Sequence, residues 1–138
     1  MDTCIFCKIV KGEIPATKVY EDPYSLAFLD IAPASPKGGH LLVIPKKHFE
    51  ILTDMPENEM HVLMKTVQKM VGLLTKFSEG VNILQNNKAA AGQVVPHVHF
   101  HLIPRFQKDG IIVEKWFAHR YPEGEMEKTA EKLKNLLK

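Results

Sequence analysis

Apolar residues recur every three or four positions between residues 56 and 76, which is the spacing of one buried helix face. Pro56 suits the first turn of this helix, and Gly80 marks its end. Weaker patterns of the same period predict two shorter helices, over residues 3 to 11 with Thr3 as the N-cap, and over residues 123 to 138. The pattern therefore predicts one long helix and two shorter ones.

Five other segments are short, strongly apolar, and bounded by Gly, Pro, Asp or Asn, which predicts strands. They span residues 17–21, 25–29, 40–44, 81–85 and 97–104. Asp22-Pro23 predicts a hairpin turn between the first two strands, and residues 32–39 and 86–93 are expected loops. Because hairpins link the strands and helices do not alternate with them, we predict an α+β domain with a five-stranded antiparallel sheet. All 138 residues are expected to form one domain, with residues 106–138 as a C-terminal extension that includes the last helix.

Three histidines stand at alternate positions in the last predicted strand. His97, His99 and His101 are separated by Val98 and Phe100, so one face of a strand would carry imidazoles and the other face would join the core. Side chains two positions apart on a strand lie about 6.6 Å from each other. Such a row can transfer protons, attack an electrophile or bind a metal. Core filling is the less favoured interpretation, because polar rings are seldom fully buried.

Composition narrows the possible functions only moderately. The formal net charge of +2 gives no reason to expect a nucleic acid or membrane partner. No apolar run approaches the roughly 20 residues that cross a bilayer, and no basic stretch precedes a long apolar one, so we expect a cytoplasmic protein. Cys4 and Cys7 form a C-x-x-C pair, which in a reducing compartment indicates a metal knuckle or a redox motif.

Four motifs in this order resemble the histidine triad (HIT) family, and specifically a zinc-bearing, prokaryotic-type member of its Hint-like branch. The resemblance covers about residues 3 to 105. The motifs are Cys4-Ile-Phe-Cys7-Lys-Ile-Val-Lys-Gly-Glu-Ile-Pro15, Ala27-Phe28-Leu-Asp30-Ile31, Leu42-Val-Ile-Pro-Lys-Lys-His48, and the segment from Gly92-Gln93 through the three histidines. The resemblance implies a homodimer whose two half-sheets join. It also implies hydrolysis or transfer at the α-phosphorus of purine nucleotide conjugates, through a nucleotidyl-histidine intermediate.

The middle histidine, His99, is the expected nucleophile, because a neutral imidazole nitrogen can attack phosphorus in line with the leaving group. His101 is expected to assist the leaving group or bind the phosphate. Backbone N–H groups of Gly92, Gln93 and Val94 are expected to contact phosphate oxygens. Many relatives carry Ser or Thr where this chain has Val94, so a hydroxyl contact to the phosphate is missing here.

The resemblance also implies how the rest of the nucleotide is bound. Asp30 is similar to the ribose-binding acid of the family, and Asn86 to a side-chain donor to the phosphate. Four apolar residues of the first half would form the walls of the base site, and they are Phe6, Ile9, Ile14 and Phe28. Apolar walls select a purine by shape and stacking. The segment around Trp116 lies outside the motifs, but it could reach the pocket of the partner subunit, as C-terminal tails of relatives do.

A structural zinc ion is the expected cofactor. A closed zinc site needs four sulfur or nitrogen donors. Zinc-bearing relatives use a pattern that corresponds here to Cys4, Cys7, His48 and His97, which leaves His99 and His101 free for catalysis.

Three other functions stay open at this point. A metallohydrolase would place a catalytic metal on the histidine row, and activity would then collapse on chelation and recover on metal re-addition. A nucleotide-binding regulatory protein would bind mononucleotides tightly with little turnover. A phosphorylase or nucleotidyl transferase for dinucleoside polyphosphates would use phosphate or a nucleotide in place of water.

Overall fold

The computed structural model describes residues 3–138, and its centre is one antiparallel sheet. The helices and strands are α1 (Ile5–Val10), β1 (Lys18–Glu21), β2 (Ser25–Leu29), β3 (Leu41–Pro45), α2 (Glu57–Phe77), β4 (Gly80–Gln85), β5 (Phe100–Arg105) and α3 (Glu125–Leu137). The strand order is β1-β2-β3-β5-β4. The predicted α+β architecture, with five antiparallel strands and three helices, is confirmed.

Alternation along the strands divides the buried residues between two faces of the sheet. Ala27, Leu29, Leu41 and Val43 pack in the larger cluster, to which α2 and α3 also contribute. Their neighbours Leu26, Phe28, Leu42 and Ile44 point to the other face, where residues of α1 cover them. Both faces of β2 and β3 are therefore buried, which explains why these strands are apolar throughout.

The last strand begins three residues later than the alternation predicts. Pairing with β3 and β4 starts at Phe100, opposite Val43 and Gln85. Before that point the Val98 N–H donates to the Phe49 carbonyl at 2.7 Å, which lies outside the sheet. The predicted strand over residues 97–104 was thus wrong at its start. The alternation itself holds, because Val98, Phe100 and Leu102 all belong to the core cluster.

The ends of the short helices also differ from the prediction. Cys4, and not Thr3, is the N-cap of α1, because Cys4 has extended backbone angles and its sulfur accepts the Cys7 N–H at 3.4 Å. The terminal helix begins at Glu125 and not at residue 123, since Gly124 has a φ of +80° that helical residues do not adopt.

One edge of the sheet lies beside a helix, and the other edge is open in the part of the chain that the structure describes. α3 packs against β1 and α2, so the β1 edge lies beside a helix. β4 forms the opposite edge, and no strand within residues 3–138 pairs with its outer side. None of the helices in this range combines the length and apolar character needed to cross a bilayer.

Candidate active site

A cavity of about 550 Å³ opens on the α1 face of the sheet. This volume is in the range that holds a nucleotide-sized ligand. Ten of the eleven residues predicted for catalysis or substrate binding line it, and they are Phe6, Ile9, Ile14, Phe28, Asp30, Asn86, Gly92, Val94, His99 and His101. Cross-strand register explains part of the grouping, because Phe28 pairs with Leu42 and Leu42 pairs with His101 on one face.

The hydrogen bonding of His99 leaves one ring nitrogen free. Its Nδ1 lies 2.7 Å from the carbonyl oxygen of His97, which can only accept, so Nδ1 carries the proton. Burial lowers the pKa of His99 and keeps the ring neutral, while the bond to His97 opposes that shift. The lone pair of a neutral ring is then on Nε2. His99 also lines the cavity, with the Phe6 ring edge-on at 5.2 Å between centroids.

His101 is held in the opposite tautomer by His40, which was not among the predicted site residues. The backbone N–H of Ala34 donates to His40 Nδ1 at 2.9 Å, so a neutral His40 carries its proton on Nε2. His40 Nε2 lies 2.9 Å from His101 Nδ1 and donates to it. The proton of a neutral His101 is therefore on Nε2, and this residue lines the cavity 5.0 Å from the His99 ring. The two rings thus differ in role, with a bare nitrogen on His99 and a donor on His101.

Electrostatics keep both members of this pair neutral. His40 is fully buried, and burial together with the nearby His101 and His99 lowers its pKa to about 3. Burial, and then the proximity of His99, lowers the pKa of His101 to about 4. His40 precedes β3 directly, and a polar residue at the start of an otherwise apolar strand was the only sequence signal for it.

Asp30 lies beside the same pair. The Ala32 N–H donates to its Oδ1 at 2.8 Å, while Oδ2 lies 3.8 Å from His40 Nε2. Burial raises the pKa of Asp30, and the bond from Ala32 only partly offsets this. One carboxylate oxygen is thus held by the backbone, and the other can accept from a ligand in the cavity.

The loop after β4 corrects one expectation. The N–H groups of Gly92 and Gln93 donate within the loop, to Ala89 at 2.9 Å and to Lys88 at 3.2 Å, so they are not free for a phosphate. Gln93 does not line the cavity. Its side chain donates to the Glu50 carbonyl at 2.7 Å and accepts from the Lys88 N–H at 2.6 Å.

These hydrogen bonds within the loop give Gln93 a structural role. Any backbone N–H group that is available to a ligand must lie further along the loop. Within the described chain, the Val94 N–H has no backbone or side-chain acceptor. Gly92 has a φ of +95°, and a Cβ there would lie 3.4 Å from Asn86 Nδ2. Glycine at this position therefore keeps Asn86 close to the loop, as its 3.4 Å contact with the Gly92 carbonyl also shows.

Four further side chains meet next to the cavity with the spacing of a metal site. One donor atom from each of Cys4, Cys7, His48 and His97 lies within 4.8 Å of the other three. His97 Nδ1 lies 3.3 Å from Cys4 Sγ, 3.6 Å from Cys7 Sγ and 3.2 Å from His48 Nδ1, and His48 Nδ1 lies 3.3 Å from Cys7 Sγ. Tetrahedral zinc, with bonds of about 2.3 Å to sulfur and 2.05 Å to nitrogen, requires N–N separations of about 3.3 Å and S–N separations of about 3.6 Å. The donor set therefore fits zinc.

The tautomer of His97 agrees with a role as a metal ligand. Its Nε2 donates to the Pro45 carbonyl at 2.8 Å, which leaves Nδ1 unprotonated and facing the two cysteines. In the absence of a metal, burial and the neighbouring Cys4 raise the pKa of Cys7 to about 11. The thiolate forms that bind a metal are therefore unfavourable at this pair of cysteines unless a cation lies between them.

The C-terminal extension covers the cavity of its own chain. Trp116 lines the cavity, with its ring centroid 5.4 Å from that of His101 and 5.6 Å from that of His40. The C-terminal tails of relatives suggested a contact with a partner's pocket, and within one chain Trp116 already packs against both histidines.

Comparisons with known proteins identify the family and the fold. The HIT domain model matches residues 11–108. The chain is 54% identical over 112 residues to an uncharacterised HIT-like protein of Methanocaldococcus jannaschii, covering 80% of this chain and 85% of that protein. It is 40% identical over 139 residues to the adenosine 5'-monophosphoramidase of Schizosaccharomyces pombe, covering 99% of each. Its fold is similar to that of a zinc-bound histidine triad family protein of Mycobacterium smegmatis, with a TM-score of 0.85 and 34% identity. The match covers 99% of this chain and 94% of that protein.

Proposed function

The chain belongs to the HIT domain family, and we propose that it hydrolyses purine nucleotide conjugates at the α-phosphate through a nucleotidyl intermediate on His99. The observation that carries this proposal is the bare Nε2 of His99 at a cavity that also contains a carboxylate and apolar walls. The full-length similarity to an adenosine 5'-monophosphoramidase supports adenosine phosphoramidates as the first substrates to test.

The proposed reaction proceeds in two displacements. Asp30 accepts hydrogen bonds from the ribose hydroxyls, and the base lies against the apolar wall that includes Phe6 and Phe28. His99 Nε2 attacks the phosphorus and the bond from phosphorus to the departing atom breaks, while the Nε2–H of His101 donates a hydrogen bond to that atom and solvent supplies the proton that the departing amine takes up. The bond to the His97 carbonyl stabilises the positive charge that forms on the His99 ring. Water then attacks the phosphorus of the intermediate and releases the mononucleotide and the free ring.

The same proposal includes a structural zinc ion held by Cys4, Cys7, His48 and His97. Zinc at this point would supply a closed tetrahedral link between α1, the segment after β3 and the segment before β5. The carbonyl oxygen of His97 also accepts the hydrogen bond from His99 Nδ1–H. A fixed His97 therefore keeps the nucleophile oriented. The zinc-bound Mycobacterium smegmatis relative supports this assignment. A catalytic metal on His99 and His101 is not favoured, because their free nitrogens have opposite protonation.

We also propose a homodimer formed through β4 and α2. The outer edge of β4 is open, and an exposed apolar groove lies beside it, lined by Met64, Val67, Val71 and Ile83. About half of Ile83 is exposed in the single chain. Open strand edges next to apolar surface favour pairing with a second copy. Ile83→Lys is expected to convert a dimer to a monomer in light scattering, and a wild-type monomer would refute the proposal.

Intact mass spectrometry tests the reaction and its site together. Purified protein is mixed briefly with adenosine 5'-phosphoramidate, quenched and weighed, and we expect a mass increase of one adenylyl group on the peptide containing His99. His99→Gln should show neither adduct nor turnover, and Tyr24→Phe, an exposed change in the turn between β1 and β2, should behave as wild type. Tight binding of the mononucleotide without turnover of any conjugate would instead indicate a regulatory protein.

A further inference from the structure

The segment 116–121 contains no helix or strand and crosses the loop between β2 and β3. We refer to residues 116–121 as the strap. Two hydrogen bonds fix it to the loop. The His119 N–H donates to the Pro33 carbonyl at 2.9 Å, and the Gly39 N–H donates to the Tyr121 hydroxyl at 2.8 Å. The strap therefore holds this loop at two separate points.

Both attachment points are adjacent to the bond that sets the tautomer of His40. Pro33 directly precedes Ala34, whose N–H donates to His40 Nδ1, and Gly39 directly precedes His40 itself. A displacement of either end of the loop would lengthen or misalign the bond between Ala34 and His40. The orientation of His40, and with it the proton on His101, thus depends on the position of the loop.

The strap and the loop also pack tightly against each other. A Cβ on Gly38 would lie 2.5 Å from the Tyr121 ring, and Gly38 has a φ of +76°. Only glycine avoids both conflicts at this position. At the other end of the strap, Trp116 packs edge-on against the rings of His40 and His101. The strap therefore supports the histidine pair from outside as well as through the loop.

From these contacts we infer that the strap is a positioning element for the leaving-group side of the reaction. Tyr121 and His119 hold the loop so that His40 donates from Nε2, and His101 consequently presents its Nε2–H to the departing atom. The inference rests on the proposed function, since it concerns the donor used in the first displacement. Neither Tyr121 nor His119 contacts the substrate in this scheme, and both act through His40.

This role has a chemical signature that a purely structural role lacks. A hydrogen-bond donor matters most when the departing atom is strongly basic and develops more charge. Weakening the donor should slow an adenosine phosphoramidate of an alkylamine much more than an adenosine 5'-monophosphate p-nitrophenyl ester. General loosening of the fold would slow both substrates to the same extent.

The test uses Tyr121→Phe, which removes one hydroxyl and keeps the ring. We expect about a tenfold loss in the single-turnover rate with the alkylamine substrate, the equivalent of one hydrogen bond, and less than about twofold with the nitrophenyl ester. Tyr24→Phe, a change at an exposed tyrosine in the turn between β1 and β2, is the matched control and should leave both rates unchanged. Equal losses on the two substrates, or no loss on either, would overturn the inference.

Nitrogen-15 NMR of the histidine rings provides a readout independent of turnover. The wild type should show His101 as the Nε2–H tautomer, and Tyr121→Phe should show a mixture of tautomers. An unchanged tautomer in the variant overturns the inference even if the wild type has no activity, so the two proposals fail separately. If Tyr121→Phe does not fold, His119→Pro removes the other anchor, and His119→Ala, which keeps the backbone N–H, is its control.

Discussion

Replacing His40 with glutamine tests whether this ring is buried in its neutral form between Ala34 and His101. Glutamine keeps an acceptor for the Ala34 N–H and a donor for His101, but it does not titrate. The variant therefore separates the proton equilibrium of residue 40 from its hydrogen bonding.

The expected pH-dependent loss of stability in the wild type follows from the pKa of His40, which burial lowers to about 3 from 6.5. Below pH 6.5 the unfolded chain binds a proton at this position and the folded chain does not, so wild-type stability falls as the pH falls toward 3. At pH 5 this loss is about 2 kcal/mol, from 1.36 kcal/mol per pH unit over about 1.5 units. Glutamine at residue 40 has no such loss. At pH 7 the variant should be less stable by about 1–2 kcal/mol, because its amide fits the hydrogen bonds less well.

Urea unfolding followed by circular dichroism at pH 7 and pH 5, with equal zinc in all samples, measures the difference. The free energy of unfolding of the wild type should fall about 2 kcal/mol further than that of His40→Gln between the two pH values, so the curves converge near pH 5. Tyr24→Phe, at an exposed position in the turn between β1 and β2, should follow the wild type. Parallel curves for wild type and His40→Gln would refute the reasoning, because residue 40 would then take up protons equally in both states.

Three further outcomes are expected. Asp30→Ala should raise the KM of an adenosine conjugate at least about tenfold with a smaller change in kcat, since hydrogen bonds to a charged acceptor contribute about 1.5–3 kcal/mol each, and an unchanged KM would remove the ribose contact. Val94→Ser should raise kcat/KM about two- to tenfold by adding a donor at the cavity, whereas Val94→Thr with no gain would argue that the phosphate lies elsewhere. Chelation of zinc should lower the Tm by about 10 °C, because a ligand present at about 1,000 times its Kd contributes about 4 kcal/mol. A metal-free Cys7→Ser protein with wild-type Tm would contradict the structural zinc.

Some site residues were predictable because their signal is local. The alternation of His97, His99 and His101 with apolar residues placed the histidines on one side, and this holds even where the chain has not yet entered β5. A C-x-x-C pair on one helical turn brings both sulfurs together without any tertiary contact. Other positions, such as Asp30, Asn86 and His48, came from motif resemblance, and their roles stay predictions.

Hydrogen bonding in the loops was outside the reach of sequence patterns. The sequence suggested that Gly92 and Gln93 offer free N–H groups, but a turn closes on Lys88 and Ala89 and uses them. Whether a backbone donor is free depends on φ and ψ at several residues, including the positive φ of Lys88, which no residue type dictates.

The sequence by itself determined the order of helices and strands, though not their exact ends, the faces of the sheet and the row of imidazoles, because each depends on periods of two or 3.6 residues. Only the tertiary structure decided which nitrogen of each imidazole carries the proton. For His97 and His101 that choice depends on the Pro45 carbonyl and on His40, which lie 52 and 61 residues away along the chain, whereas His99 is oriented by the His97 carbonyl two residues away. A histidine is the same residue in either tautomer, so its chemistry is set by its neighbours in space and not by its place in the sequence.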